Sequence, residues 1–214
     1  MIKYFYEETG MYNDCQQVKR LPDIDTLIDI GVGASGTPEL YERFIGKKIV
    51  LIDPLDEAQK FYENHMGNRD VIFYKTALGD TSENLEIKVE EEIGRSTIMD
   101  VTDINYEGEP LDIRRVNVSK LDDLTINKEF GRLGIKIDTE GYELKIIRGS
   151  TETLKKTKFV IAEVRHNHES FKGVYKLHEF IREMHTNGFV LSMILTAKPF
   201  IADLCFERID ELFN

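Results

Sequence analysis

A chain of 214 residues, 41% hydrophobic and 31% charged, has the apolar content of one globular domain and too much of it to stay disordered. Its 39 acidic against 28 basic residues leave a formal charge of −11, which disfavours nucleic acid as a partner, because phosphate backbones are met by basic faces. No apolar run reaches the roughly 20 residues of a membrane span, the opening MIKYFYEETGMYND has acids where a signal peptide is apolar, and Cys15 and Cys205 lack ligand spacing.

These features predict a reduced, cytoplasmic protein. The first 25 residues read as an N-terminal extension whose Tyr4, Phe5, Tyr6, Met11 and Tyr12 could cover a site or pack on the sheet edge. From residue 26 onward, apolar runs alternate with helical patterns. Thr26–Ile30 (TLIDI) has the short apolar run of a buried parallel strand and ends in a glycine turn. Thr37-Pro38-Glu39 then has the order of an N-cap, a proline at the first helical position and an acid in the first turn, with Leu40, Tyr41 and Phe44 facing inward. Lys48–Ile52 is a second strand ending at Asp53-Pro54, residues 56–66 a helix, and Val71–Tyr74 a third strand.

Residues 84–118 break the alternation with short segments of strand period, which predicts a β-hairpin insertion. Long connections of this kind often carry binding function, so Arg95-Ser96-Thr97 become candidates for shaping the choice of substrate. Leu133–Ile137 resumes as a strand ending at Asp138, Tyr142–Arg148 as a helix, and Phe159–Val164 as a strand. Leu177, Phe180, Ile181 and Met184 form the apolar face of a helix over 174–187 that closes on Gly188. Phe189–Leu195 and Ala202–Glu207 are two strands joined too briefly for a parallel crossover, hence an antiparallel pair. The predicted fold is an α/β, Rossmann-like, doubly wound and mostly parallel seven-stranded sheet that ends in an antiparallel hairpin, within a single domain over 1–214.

Two turns carry the chemistry. Asp29-Ile30-Gly31-Val32-Gly33-Ala34-Ser35-Gly36 lies between the first strand and first helix, where glycines let a ligand approach the backbone and the helix start offers unpaired N–H groups. Asp53, at the end of the next strand, is placed to accept the hydroxyls of a ribose. An adenosine cofactor follows from this pair, but Gly31-x-Gly33-x-x-Gly36 plus an acid satisfies a dinucleotide fingerprint equally well, which keeps an NAD(P)-dependent oxidoreductase open. A non-catalytic protein that binds such a cofactor is a third reading.

The second turn separates these readings. Leu133-Gly134-Ile135-Lys136-Ile137-Asp138-Thr139-Glu140-Gly141-Tyr142-Glu143-Leu144, continuing to Arg148-Gly149, resembles the signature of the FkbM-type methyltransferases. Leu27–Gly36, Ile52-Asp53-Pro54, Thr76–Asp80, Val118–Leu124 and Val160–Val164 fall in that family's order, so the resemblance covers about residues 26–195. Gly33 stands where the family usually has Asn, and Asp53 where it usually has Glu; both keep the needed chemistry. The resemblance implies a class I methyltransferase fold, S-adenosylmethionine as cofactor, and methylation of a hydroxyl on a sugar, glycan or small natural product. It places Asp29, Gly31, Gly33, Ala34, Ser35, Gly36, Asp53, Pro54, Ala77, Leu78 and Asp138 around the cofactor.

Methyl transfer to a hydroxyl needs in-line positioning and a group that takes a proton. Asp138 and Glu140 flank the second turn and are the first candidates for this work, joined by Glu163 and His166 from the EVRHNH segment that ends the fifth strand. Glu163, His166 and His168 could also ligate a divalent ion, but their spacing is not that of a dedicated metal site, and no metal is assigned. The expected partner is a small-molecule or glycan acceptor, and a homo-oligomer is compatible with the sequence.

Overall fold

The computed structural model describes residues 17–101, 110–166 and 171–212. The aromatic residues of the N-terminal extension and His168 lie outside them. The chain runs β1 (Thr26–Ile30), α1 (Pro38–Arg43), β2 (Lys48–Ile52), α2 (Asp56–His65), β3 (Val71–Tyr74), β4 (Ala77–Leu78), β5 (Glu83–Val89), β6 (Asp112–Ser119) and α3 (Leu121–Thr125). It continues through β7 (Leu133–Ile137), α4 (Glu143–Arg148), α5 (Thr151–Leu154), β8 (Thr157–Arg165), α6 (Leu177–Thr186), β9 (Phe189–Ala197), β10 (Ile201–Arg208) and α7 (Ile209–Leu212).

Seven strands form one sheet in the order β3-β2-β1-β7-β8-β10-β9. The pairs β1–β2, β2–β3, β1–β7 and β7–β8 are parallel, while β10 runs antiparallel to both β8 and β9. Every residue of β1 and β7 is buried, as expected of central strands covered on both faces. Alternation then sorts the side chains. Leu27, Ile49, Leu51, Phe159 and Ile161 pack with Leu40 and Tyr41 of α1, Phe44 just after it and Phe61 of α2. Ile28, Ile30, Val50, Ile135 and Ile137 join the cluster that contains Ile146 and Ile147 of α4 and Phe180 and Met184 of α6.

The expected insertion is a β-hairpin of β5 and β6, joined by the two residues of β4 into a second sheet in the order β4-β6-β5. Its apolar side (Ile87, Val89, Val116 and Val118) packs on Leu55 and Ala77, which seats it over the ends of β2 and β3. No helix among the described residues is long and apolar enough to cross a membrane.

The two sheets meet where Gly149, after α4, approaches the turn after β4. A Cβ at Gly149 would lie 2.0 Å from the carbonyl oxygen of Gly79, a backbone atom with no rotamer to escape into. Gly149→Ala must push the two sheets apart. The expected cost is about 1–3 kcal/mol, measured as a lower urea midpoint, and an unchanged midpoint would refute the contact.

Candidate active site

The order of the main sheet reverses between β1 and β7, and a crevice opens at the carboxyl ends of such neighbouring strands. Here it is narrow at its base. Gly31 adopts a left-handed φ of 82°, and a Cβ there would fall 1.7 Å from the carbonyl oxygen of Asp138. Only glycine lets the first turn lie against the second.

The crevice has two lobes that share Gly31, Gly33, Ile93, Gly94 and Asp138. The first, about 560 Å³ counting space continuous with solvent, is walled by Ile52 at the end of β2 and Asp53, Pro54 and Leu55 after it, by Thr76, Ala77 and Leu78, and by Ile87, Ile93 and Ile98 of the insertion. Asp53 is almost wholly buried; its Oδ2 accepts the Gly33 N–H at 2.9 Å and its Oδ1 the Leu55 N–H at 2.8 Å. Burial raises its pKa to about 6, against the lowering effect of those two bonds. Asp53 therefore does organise the following turn, and each oxygen keeps a further lone pair for a ligand hydroxyl.

The second lobe, about 1,980 Å³ and open to solvent, is walled by residues 31–37, by Glu91–Arg95 of the insertion, and by Asp138, Glu140, Glu163, Arg165 and residues 198–201. Ala34, Ser35 and Gly36 face this lobe and not the first. Asp138, Glu140 and Glu163 each bring an oxygen within 4.8 Å of the others. Two side-chain cations sit against this cluster: Arg165 pairs with Glu140, and Lys136 Nζ lies 3.2 Å from Asp138 Oδ2. Glu140 is the one non-glycine residue with positive φ (52°) among those described. Its backbone is held by the insertion, where Thr97 Oγ1 donates to its carbonyl at 2.8 Å. Backbone strain of this kind concentrates at functional sites.

Environment separates the carboxyl groups. Burial pushes Glu140 up to about 7, with Arg165 opposing and Asp138 adding to the rise. Glu163 goes furthest, to about 9, through burial first and then the neighbouring Asp138 and Glu140 charges. The carboxyl of Glu163 is thus protonated near neutral pH, whereas a residue placed to remove a proton must be ionised.

Two of the sequence-derived site residues lie outside both lobes. Asp29 is only 1% exposed and lines neither lobe; it sits beneath the glycine turn and accepts a hydrogen bond from the Tyr41 hydroxyl. Burial raises its pKa to about 6. His166 also lines neither lobe. Side chains alternate along β8, so with Glu163 and Arg165 turned to the crevice, His166 is exposed with its ring Nε2 3.1 Å from the Lys198 carbonyl oxygen.

Three residues that shape the site were not singled out from sequence. Lys136 is fully buried in β7. Asp203 of β10 lies 3.3 Å from Lys136 Nζ and also accepts from the Thr196 hydroxyl. Glu143 takes the N–H groups of Thr139 (3.1 Å) and Gly141 (3.0 Å) and the hydroxyl of Tyr175 (2.8 Å), which folds the Asp138–Gly141 turn around one carboxylate. A charged residue inside an otherwise apolar strand was the available signal for the first two.

A family model, the methyltransferase FkbM domain, matches residues 29–191 of this chain. Among curated proteins none matches. In the solved structures, the fold is similar to a Listeria monocytogenes protein described as an S-adenosylmethionine-dependent methyltransferase. That match has 11% identity, 93% of this chain and 98% of that one covered, and a TM-score of 0.52. An S-adenosylmethionine-dependent methyltransferase from Aquifex aeolicus is 13% identical, with 92% and 89% covered and a TM-score of 0.49. Magnesium protoporphyrin IX methyltransferase from Synechocystis, with S-adenosylmethionine bound, is 11% identical, with 93% and 80% covered and a TM-score of 0.47. At these identities the likeness to the Listeria protein speaks for the fold alone.

Glu163 makes the site's electrostatics measurable. The folded protein keeps a proton that the unfolded chain releases near 4.5, so stability falls as pH rises from there toward about 9. Glu163→Gln cannot ionise and should escape that loss. Urea unfolding is expected to show a gain over wild type of at least about 1 kcal/mol at about pH 9, shrinking toward zero near about pH 4. An equal gain at both pH values would contradict the assignment.

Proposed function

Because the chain belongs to the FkbM methyltransferase domain family, with S-adenosylmethionine as its methyl donor, we propose that it methylates a hydroxyl of a sugar, glycan or small natural product. The observation that carries this reading is Asp138, which lines both lobes of the crevice.

The residues of the crevice fit the cofactor. The first lobe offers the Asp53 carboxylate for the ribose hydroxyls and an apolar slot of Ile52, Leu55, Leu78 and Ile98 for the adenine ring. The glycine turn provides backbone within reach of the amino-acid end, because Gly31 and Gly33 carry no Cβ at the junction. When bound, the cofactor supplies a methyl carbon on a sulfonium, which an oxygen nucleophile displaces in line.

The chain's own work is to hold the acceptor oxygen in that line and to receive its proton. Asp138 Oδ2 is occupied by Lys136, while Oδ1 accepts no hydrogen bond from the described residues. We assign Oδ1 as the atom that takes the acceptor proton. Glu140, paired with Arg165, orients the acceptor, and the protonated Glu163 donates a hydrogen bond to a second hydroxyl. A run of carboxyl groups in mixed protonation states suits a polyhydroxylated acceptor, since each hydroxyl both donates and accepts. His166 takes no part in this reading.

Thermal shift supplies the first test: S-adenosylhomocysteine should stabilise the protein, and NAD and NADP should not. Asp53→Ala is expected to weaken S-adenosylhomocysteine binding at least thirtyfold, the equivalent of about 2 kcal/mol for lost charge-assisted hydrogen bonds. With an acceptor found on a panel of sugars and hydroxylated natural products, Asp138→Asn should lower kcat by about a hundredfold. Stabilisation by the nicotinamide cofactors alone, or full turnover by Asp138→Asn, would sink the reading.

A further inference from the structure

Lys136 lines neither lobe of the crevice. It is nevertheless placed against the groups that do. In the β1–β7 pairing it stands directly opposite Asp29. Its Nζ reaches past the end of its own strand to Asp138 Oδ2 at 3.2 Å and across β8 to Asp203 Oδ1 at 3.3 Å on β10. Asp203 is itself register partner to both Glu163 on β8 and Thr196 on β9, and the Thr196 hydroxyl donates to it. The side chain of Lys136 is 1% exposed, and its four strand neighbours, Leu133, Gly134, Ile135 and Ile137, are apolar or glycine.

An apolar residue at 136, with a matching one at 203, would serve the sheet at least as well, because buried ion pairs seldom improve on well-packed apolar side chains. Something other than packing therefore accounts for an ammonium here. The acidic cluster supplies the reason. Oxygens of Asp138, Glu140 and Glu163 gather within 4.8 Å, with Arg165 paired to Glu140. Like charges this close cannot all ionise without a counter-charge.

We propose that Lys136 is a positioning residue for methyl transfer. It fixes Asp138 Oδ2 from behind the strand end and, through Asp203 and Thr196, ties that carboxylate to the closing β9–β10 hairpin, leaving Oδ1 directed to the junction of the two lobes. This rests on the reading of Asp138 given above.

The test uses two ligands of the full chain and needs no acceptor. S-adenosylhomocysteine lacks the transferable methyl, whereas sinefungin carries an amine in its place and so samples a carboxylate held at that point. Calorimetric titration gives the ratio of the two affinities. Lys136→Met is expected to lower the preference for sinefungin by about tenfold, Asp138→Asn by a similar factor, and the double variant no further than Asp138→Asn alone, because both changes remove one device. If Lys136 served only the fold, Lys136→Met would weaken both ligands together with the ratio unchanged, or its effect would add to that of Asp138→Asn; either result overturns the proposal. Should Lys136→Met fail to fold, Lys136→Met with Asp203→Asn removes an acid along with the cation and runs through the same cycle. Wild-type protein that binds neither ligand would overturn the cofactor-site reading itself, an outcome distinct from intact binding with an unmoved ratio.

Discussion

An ammonium group buried beneath the carboxyl edge of the sheet, with carboxylates on four strands or strand ends around it, is the constraint on which the rest of this structure depends. Taking a charged side chain out of water costs of order several kcal/mol per ion, and the cost is tolerable only where opposite charges are held close. Lys136 meets that condition because β1, β7, β8 and β10 pair in one particular register, with Asp29 opposite Lys136 and Glu163 opposite Asp203. A slip of one residue in any of these pairings would turn its charged side chain into the apolar layer on the other face. The polar array therefore specifies the register of the sheet's centre as well as the electrostatics of the site.

The same edge shows how closely site and fold are joined. Gly31 against the Asp138 carbonyl brings the two chemically important turns into contact, and Asp53 locks the first of them through the Gly33 N–H. The second turn is wound around Glu143 and held by Thr97 of the insertion. Because Ile93 and Gly94 of the insertion also border both lobes, the insertion divides one crevice into a smaller lobe and a larger one. Asp53, Ala77 and Leu78 lie in the former; Ala34, Ser35, Gly36, Glu140, Glu163 and Arg165 line the latter. This division of labour follows from where the hairpin of β5 and β6 docks, since its apolar side is buried on Leu55 and Ala77 next to Asp53.

Much of this was legible from residue pattern. Central strands such as TLIDI and LGIKI announce themselves as short apolar runs because both their faces are covered. The brevity of the link between β9 and β10 dictates that they run in opposite directions. The glycine turn is readable because its backbone conformation excludes most side chains. Asp29 and His166 lie outside both lobes for a common reason: residue number locates a side chain at a strand end but not its depth or its face. Asp29 sits one residue short of the strand end and so points into the layer under α1, and His166 falls on the opposite phase of the alternation from Glu163.

The amino-acid sequence by itself determined the order of the elements, the parallel core with its antiparallel close, the family, and the two turns that line the crevice. All of these depend on local conformational preference or on side-chain period. The tertiary structure alone decided which charged groups share one face and what each carboxyl group is able to do. Lys136, Glu163 and Asp203 lie far apart in the chain, and their meeting is set by strand order and register, which local preference does not encode. The protonation of Glu163 follows from burial first and then from the neighbouring Asp138 and Glu140, conditions that exist only once the sheet has closed around it.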